Sequence, residues 1–315
     1  MDLVFCGTPE FAVPTLKALL EAADFTLRMV VCQPDRPAGR GLEVTPPPVK
    51  RLAEERGIPI AQPAKLKDNP EFRSRLESIQ PAAIVVVAYG RIIPPWMLAL
   101  PPFGNVNLHA SLLPKYRGAA PIQWAVASGE TATGVTTMRL DAGLDTGDIL
   151  LQATMSIAPD DTSETLAARL AALGAPLMLE TLRGQAAGRI TPRPQDPALA
   201  TYAPLLKKED GRISIGRSAV EIANRLRGFL PWPGAHGNFR GKTLNLWDAA
   251  PAQLPPGMAS LSPGELAASG GRLFLGCAQH SALEIHTLQV EGKKRMSAAD
   301  FIHGYRPHAG EKLEG

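Results

Sequence analysis

Short runs rich in Val, Ile and Leu recur at residues 3–6, 27–32, 84–88 and 106–108, and helix-spaced stretches such as 11–22 and 48–56 separate them. Strands apolar on both faces, alternating with helices, predict a parallel sheet covered on both sides. Ligands of such sheets bind at the carboxyl ends of the strands. Runs at 134–140 and 149–157 predict further strands, and Asp161-Thr162-Ser163-Glu164 predicts the capped start of a helix reaching about residue 183. Between 190 and 204 the pattern gives way to Pro192, Pro194, Pro197 and Pro204 with few large apolar residues, the composition of a linker. Past it, Ser218 with Glu221 three residues on predicts a capping box for a helix to about Phe229. Short strand-like pieces follow at 235–240, 244–247, 272–277 and 283–290, with turns at Gly241, Pro255-Pro256-Gly257 and Gly270-Gly271.

The fold expected is α/β: a doubly wound, mostly parallel Rossmann-like sheet with a smaller C-terminal β-barrel of the oligonucleotide-binding (OB-like) kind, an open sheet being the alternative for that part. The boundaries read as a first domain over 1–189, a linker over 190–206 and a second domain over 207–315. A chain of 315 residues, 45% hydrophobic, is long enough for two such cores.

Charge adds a hint of partnership. The net charge is +3, yet residues 1–204 carry 19 basic and 20 acidic side chains while 205–315 carry 14 and 10. The C-terminal third is the basic part, which suits a polyanion and equally suits a solvated surface. Cys6, Cys32 and Cys277 are isolated and odd in number, without metal-ligand spacing, so buried reduced thiols and no bound metal are expected. With no signal-type segment and no apolar run of about 18 residues, a cytoplasmic protein without membrane attachment is expected.

The chemistry concentrates between residues 105 and 148. Asn107 and His109 stand two apart in an extended run, so both point to one face and can meet one reacting atom. A strand-end Asn and a lone His also suit purely structural roles, so neither decides anything alone. Ser111, Leu112, Leu113 and Pro114 form a proline-pinned turn just past that strand, placed to offer backbone donors and acceptors to a planar ligand. The loop Asp141-Ala142-Gly143-Leu144-Asp145-Thr146-Gly147-Asp148 carries three carboxylates but fails the spacing of a calcium loop. A glycine-rich loop presenting Asp145 to a neighbouring His fits it better, since the carboxylate would fix the imidazole and support its protonated form. Together these groups outline an acyl-transfer site. Gly7-Thr8-Pro9-Glu10 after the first strand is not Gly-x-Gly-x-x-Gly, so no dinucleotide site is indicated.

Residues 3–16, 33–50 and 105–150 resemble the methionyl-tRNA formyltransferase family, and the likeness runs over nearly the whole chain. Phe5-Cys6-Gly7-Thr8-Pro9-Glu10-Phe11-Ala12 is similar to that family's opening motif, and Gln33-Pro34-Asp35-Arg36-Pro37-Ala38-Gly39-Arg40-Gly41 to its inserted loop. The Asn-x-His and Leu-Asp-Thr-Gly pieces resemble those of folate-dependent formyltransferases in general.

The resemblance implies transfer of the formyl group of 10-formyltetrahydrofolate, a co-substrate, to the α-amino group of methionine on initiator methionyl-tRNA, the step that prepares translation initiation. It implies Asn107 and His109 at the reacting carbonyl, Asp145 as partner of His109, and Ser111, Leu112, Leu113 and Pro114 as the folate-binding turn. It further implies that the inserted loop enters the groove of the acceptor stem, with Arg40 the principal contact and Arg36 beside it. Leu42-Glu43 replaces the Lys-Lys frequent in the family, which leaves fewer cations for phosphates. Lys207 and Lys208 fit the route of the tRNA. A monomer is expected. The rival readings are a formyltransferase acting on a nucleotide-linked amino sugar or other small amine, and a noncatalytic tRNA-binding module.

Overall fold

A computed structural model describes residues 1–38, 43–308 and 310–315. The chain divides into two compact units, one of Met1–Pro121, Ala132–Ser156 and Ala167–Pro204, the other of Ile122–Thr131, Ile157–Leu166 and Leu205–Gly315.

The strands of the first unit are β1 (Asp2–Gly7), β2 (Thr26–Val31), β3 (Arg36–Ala38), β4 (Glu43–Thr45), β5 (Ile60–Ala61), β6 (Ala83–Val87), β7 (Asn105–His109), β8 (Ala132–Arg139) and β9 (Ile149–Ser156). Seven of them form one sheet in the order β5-β2-β1-β6-β7-β8-β9, while β3 and β4 pair only with each other. From β5 to β7 the pairing is parallel, and β8 and β9 extend the sheet antiparallel. Every residue of β6 is buried, as a strand covered on both faces requires. The chain runs outward from β1 to β5 and returns to β6, so the strand order reverses between β1 and β6 and opens the crevice where such sheets bind ligands.

The helices along the chain are α1 (Val13–Glu21), α2 (Pro48–Glu55), α3 (Pro70–Ile79), α4 (Pro95–Leu98), α5 (Pro121–Ala127), α6 (Ser163–Ala186), α7 (Ala219–Phe229) and α8 (Ala298–Tyr305). Proline at the first turn of α1, α2, α3 and α4 starts them where its missing N–H costs nothing. By length and composition α6 could cross a membrane, but Leu170, Met178 and Leu182 of this helix are fully buried in the protein, which accounts for its apolar character.

The second unit is built on β10 (Ala235–Phe239), β11 (Lys242–Ala252), β12 (Leu266–Ser269), β13 (Arg272–Gly276), β14 (Ala282–Val290) and β15 (Met296–Ser297). They form an antiparallel sheet in the order β10-β11-β14-β13-β12, with β15 added to β14. The C-terminal residues join its two edges: Asn238 of β10 exchanges backbone hydrogen bonds with Glu314, Leu266 of β12 donates to Glu311, and Leu313 donates to Gly264. That last segment turns an open sheet into a closed one, in keeping with the barrel expected. Leu244, Leu246, Leu273, Leu275, Leu283, Ile285 and Leu288 fill the core with Phe239 and Phe301. The capping box forms as expected, with Glu221 N–H donating to Ser218 Oγ at 3.3 Å and Ser218 N–H donating to Glu221 Oε2 at 2.8 Å.

Residues 190–206 depart from the picture of a linker. Ile149 and Arg193 exchange backbone bonds, Arg117 N–H donates to Thr201 O at 2.8 Å, and Ala203 N–H donates to Arg117 O at 2.7 Å. Proline content marks a segment that cannot be a helix or central strand, but it says nothing against such isolated bridges.

Candidate active site

β7 lies between β6 and β8, with Asn107 opposite Val86 on one side and Met138 on the other, and His109 opposite Thr136. The strand's period places Asn105, Asn107 and His109 on one face. Asn105 is spent on structure, its amide donating to Met97 O at 2.9 Å and Leu98 O at 3.2 Å. Asn107 is only 8% exposed, and its carboxamide has no hydrogen-bond partner among the described residues. Its polar atoms are not among the fully buried unpartnered ones, so the amide is free to donate to a group that reaches it.

His109, 6% exposed, is fixed from both ring nitrogens. Its Nε2 lies 2.9 Å from Tyr116 O, and since a carbonyl only accepts, Nε2 carries a proton. Its Nδ1 lies 3.7 Å from Asp145 Oδ2. In the neutral ring Nδ1 would then turn a lone pair toward a carboxylate, whereas the imidazolium presents a proton there.

Asp145 reaches this point because its loop is tightly made. Its backbone sits in the left-handed region at φ +51°, and Gly118 N–H donates to Oδ2 at 2.8 Å. A Cβ at Gly147 would stand 1.8 Å from Arg139 O, so only glycine lets β8 and the loop come this close. The Asp141 carboxylate is consumed locally, accepting from Gly143 N–H at 3.0 Å and from Thr146 Oγ1 at 2.8 Å.

The turn at Ser111, Leu112, Leu113 and Pro114 is rigid for a reason absent from its own sequence. Leu113 N–H donates to Thr136 Oγ1 at 3.1 Å, Thr136 Oγ1 donates to Ser111 O at 2.6 Å, and Gln152 Nε2 donates to Leu113 O at 3.0 Å. Ser111 Oγ closes the turn on Lys115 O at 2.6 Å. Backbone groups expected to face a ligand are thus largely partnered inside the protein, through Thr136 of β8 and Gln152 of β9. Sequence reasoning missed both, because strand Thr and Gln residues are too common to signal anything.

At the carboxyl ends of β2 and β6, Gln33 Nε2 donates to Tyr89 O at 2.9 Å and Gln33 Oε1 accepts from Arg36 at 2.9 Å. Arg36 is exposed at the start of the β3-β4 hairpin. Arg40 lies outside the described residues. Lys207 and Lys208, in the second unit, are exposed. Past β6, an open cavity of about 430 Å³ is lined by Lys65, Leu66, Lys67, Asp68, Arg91 and Ile92, three cations against one anion. Sequence reasoning passed over these three cations, which only the fold gathers. In the second unit Trp232 is 55% exposed, whereas Trp247 carries the Arg295 guanidinium over its ring.

Two family models match the chain: formyl transferase over residues 1–182, and the formyl transferase C-terminal domain over 205–306. Fold and family models together are those of a formyl transferase. The chain is 58% identical over 313 residues to the methionyl-tRNA formyltransferase of Koribacter versatilis, covering 99% of this chain and 98% of that one. It is 59% identical over 304 residues to the protein of the same name from Acidobacterium capsulatum, 96% of each being covered. The N-formyltransferase from Helicobacter canadensis, solved with folinic acid and dTDP-3-aminofucose, shares the fold at a TM-score of 0.66 and 16% identity, over 90% of this chain and 98% of that one. The chain belongs to the methionyl-tRNA formyltransferase family.

Proposed function

We propose that the protein transfers the formyl group of 10-formyltetrahydrofolate to the α-amino group of methionine on initiator methionyl-tRNA, with Asn107, His109 and Asp145 as its catalytic residues. The observation that carries the site assignment is the imidazole of His109 held between Tyr116 O and the Asp145 carboxylate, one strand pleat from the unmatched amide of Asn107. As the neutral amine adds to the formyl carbon, negative charge grows on the formyl oxygen. Asn107 Nδ2 and the Nδ1 proton of His109 donate to that oxygen, the geometry of an oxyanion hole. The nitrogen–carbon bond to the donor's N10 then breaks, the amine loses one proton and N10 gains one. Asp145, charged and beside His109, stabilises the imidazolium and accepts or relays the amine proton through water. No covalent enzyme intermediate is needed, and holding amine and donor together supplies much of the acceleration.

The first unit, with the segment up to residue 204, performs the transfer. Ser111, Leu112, Leu113 and Pro114 form the rigid wall against which the folate rings lie, and the cations Lys65, Lys67 and Arg91 suit its anionic glutamate tail. Arg36, Arg40, Lys207 and Lys208 contact tRNA phosphates, and Trp232 offers an exposed ring on which a base can stack. The protein acts as a cytoplasmic monomer without a metal. In an assay with 10-formyltetrahydrofolate, initiator methionyl-tRNA should be formylated and elongator methionyl-tRNA should not. Equal labelling of both would remove the specificity, and labelling of neither would remove the activity.

A further inference from the structure

Arg117 is 5% exposed, yet no carboxylate pairs with its guanidinium among the described residues. Its partner is the amide of Gln195: Arg117 Nε and its terminal NH2 donate to Gln195 Oε1 at 3.1 and 2.7 Å. The other end of the same amide faces the Asp145 loop, where Gln195 Nε2 donates to Asp145 O and to Gly147 O, both at 2.8 Å. Arginine has donors and no acceptor, so it dictates which end of the amide is which. Turning the amide over would set an NH2 group against a cation and a carbonyl against two carbonyls, and all four bonds would fail together.

These bonds act on the backbone of a residue held in the left-handed region, φ +51°, on a loop that puts one carboxylate beside His109. Arg117 is itself immobile, since its N–H donates to Thr201 O and its C=O accepts from Ala203 N–H. A buried cation without an acid is expensive to keep, and here its donors and the two loop carbonyls impose the same sense on one amide.

We propose that Gln195 and Arg117 are positioning residues for formyl transfer: Gln195 clamps the carbonyls of Asp145 and Gly147 so that the Asp145 carboxylate stays beside His109, and Arg117 fixes the sense of the clamp. The proposal rests on the reading of Asp145 as the partner of His109. Neither residue touches substrate, and each acts through the Asp145 loop.

Gln195→Glu isolates the clamp, because the new carboxylate keeps and strengthens the bond to Arg117 but turns lone pairs toward the two loop carbonyls. Steady-state and single-turnover kinetics with both substrates, and thermal unfolding, are to be measured on wild type, Gln195→Glu, Asp145→Asn and the double variant. Gln195→Glu is expected to lower kcat about tenfold to hundredfold, with both KM values within about twofold of wild type. The double variant should be no slower than Asp145→Asn, since the two changes disable one unit. A wild-type kcat for Gln195→Glu, a multiplicative loss in the double variant, or a kcat that merely follows the fraction unfolded overturns the clamp, while Asp145→Asn still tests the reading beneath it. Turnover at the wild-type rate in Asp145→Asn overturns that reading itself. Should Gln195→Glu fail to fold, Gln195→Met carries the same comparison, and failure of both to fold makes the pair structural and overturns the proposal.

Discussion

Asp145 Oδ2 stands 3.7 Å from His109 Nδ1 while accepting the N–H of Gly118 at 2.8 Å. The first distance is long for a hydrogen bond and short for an ionic attraction in a site this closed. Asp145→Asn separates the two interactions, because an amide oxygen can still accept from Gly118 while the charge is gone. The expected result is a fall in kcat of about 10²-fold or more, with a thermal midpoint within about 4 °C of wild type. Steady-state kinetics beside differential scanning calorimetry would read both, and a large loss of stability would make the residue structural.

Binding to tRNA phosphates should show itself through salt. Arg40→Ala is expected to raise the KM for tRNA more than the KM for folate, since the resemblance places it on the inserted loop. Lys207→Ala with Lys208→Ala should reduce the slope of log affinity against log salt by about 0.7–0.9 for each phosphate no longer neutralised. Filter binding between low and moderate salt measures this, and an unchanged slope would return both lysines to plain solvated surface.

The closing segment of the second unit should be acid-sensitive. Arg240 donates to both oxygens of Glu311, at 2.9 Å from its terminal nitrogen to Oε2, and this hydrogen bonding holds the Glu311 carboxyl below its ordinary value of 4.5. A carboxylate whose folded pKa lies below its unfolded one contributes stability that is fully present above the unfolded value. That contribution is lost as pH falls through 4.5 toward the depressed value. Protection factors of the Asn238 and Glu314 amides, corrected for intrinsic exchange, should therefore drop on acidification below 4.5 in wild type and not in Glu311→Gln.

Phe301 anchors α8 on the sheet of the second unit. Fully buried, it lies 5.2 Å from the Phe239 ring and 4.9 Å from Tyr305, stacked on the latter. Phe301→Ala should cost about 3–5 kcal/mol in urea unfolding. A cost below about 1 kcal/mol would mean the helix is not part of that core.

How much of this was legible in the chain depended on how local each signal is. β1, β6 and β7 could be read because strands buried on both faces write an uninterrupted apolar run. Asn107 and His109 followed from a spacing of two on such a strand. The β3-β4 hairpin, β12 and α8 escaped, being elements of three to eight residues of mixed composition whose pairing depends on distant partners. β11 runs from Lys242 to Ala252, well past the 244–247 expected, because its register with β14 tolerates Asp248 and Pro251. The roles of Thr136, Gln152 and Gln195 were invisible for a different reason: each acts through backbone groups that sequence places tens of residues away. Nothing in the sequence marks Arg117, and only the fold shows that it is buried on an amide.

The central claim is that Asn107 and His109 both donate to the oxygen on which charge develops. Single-turnover formylation of initiator methionyl-tRNA, with both substrates saturating, tests it directly on Asn107→Ala and His109→Ala. Each should slow the chemical step by about 10²–10³-fold and leave the half-saturating folate and tRNA concentrations within about threefold of wild type. A wild-type single-turnover rate in either variant would contradict the claim.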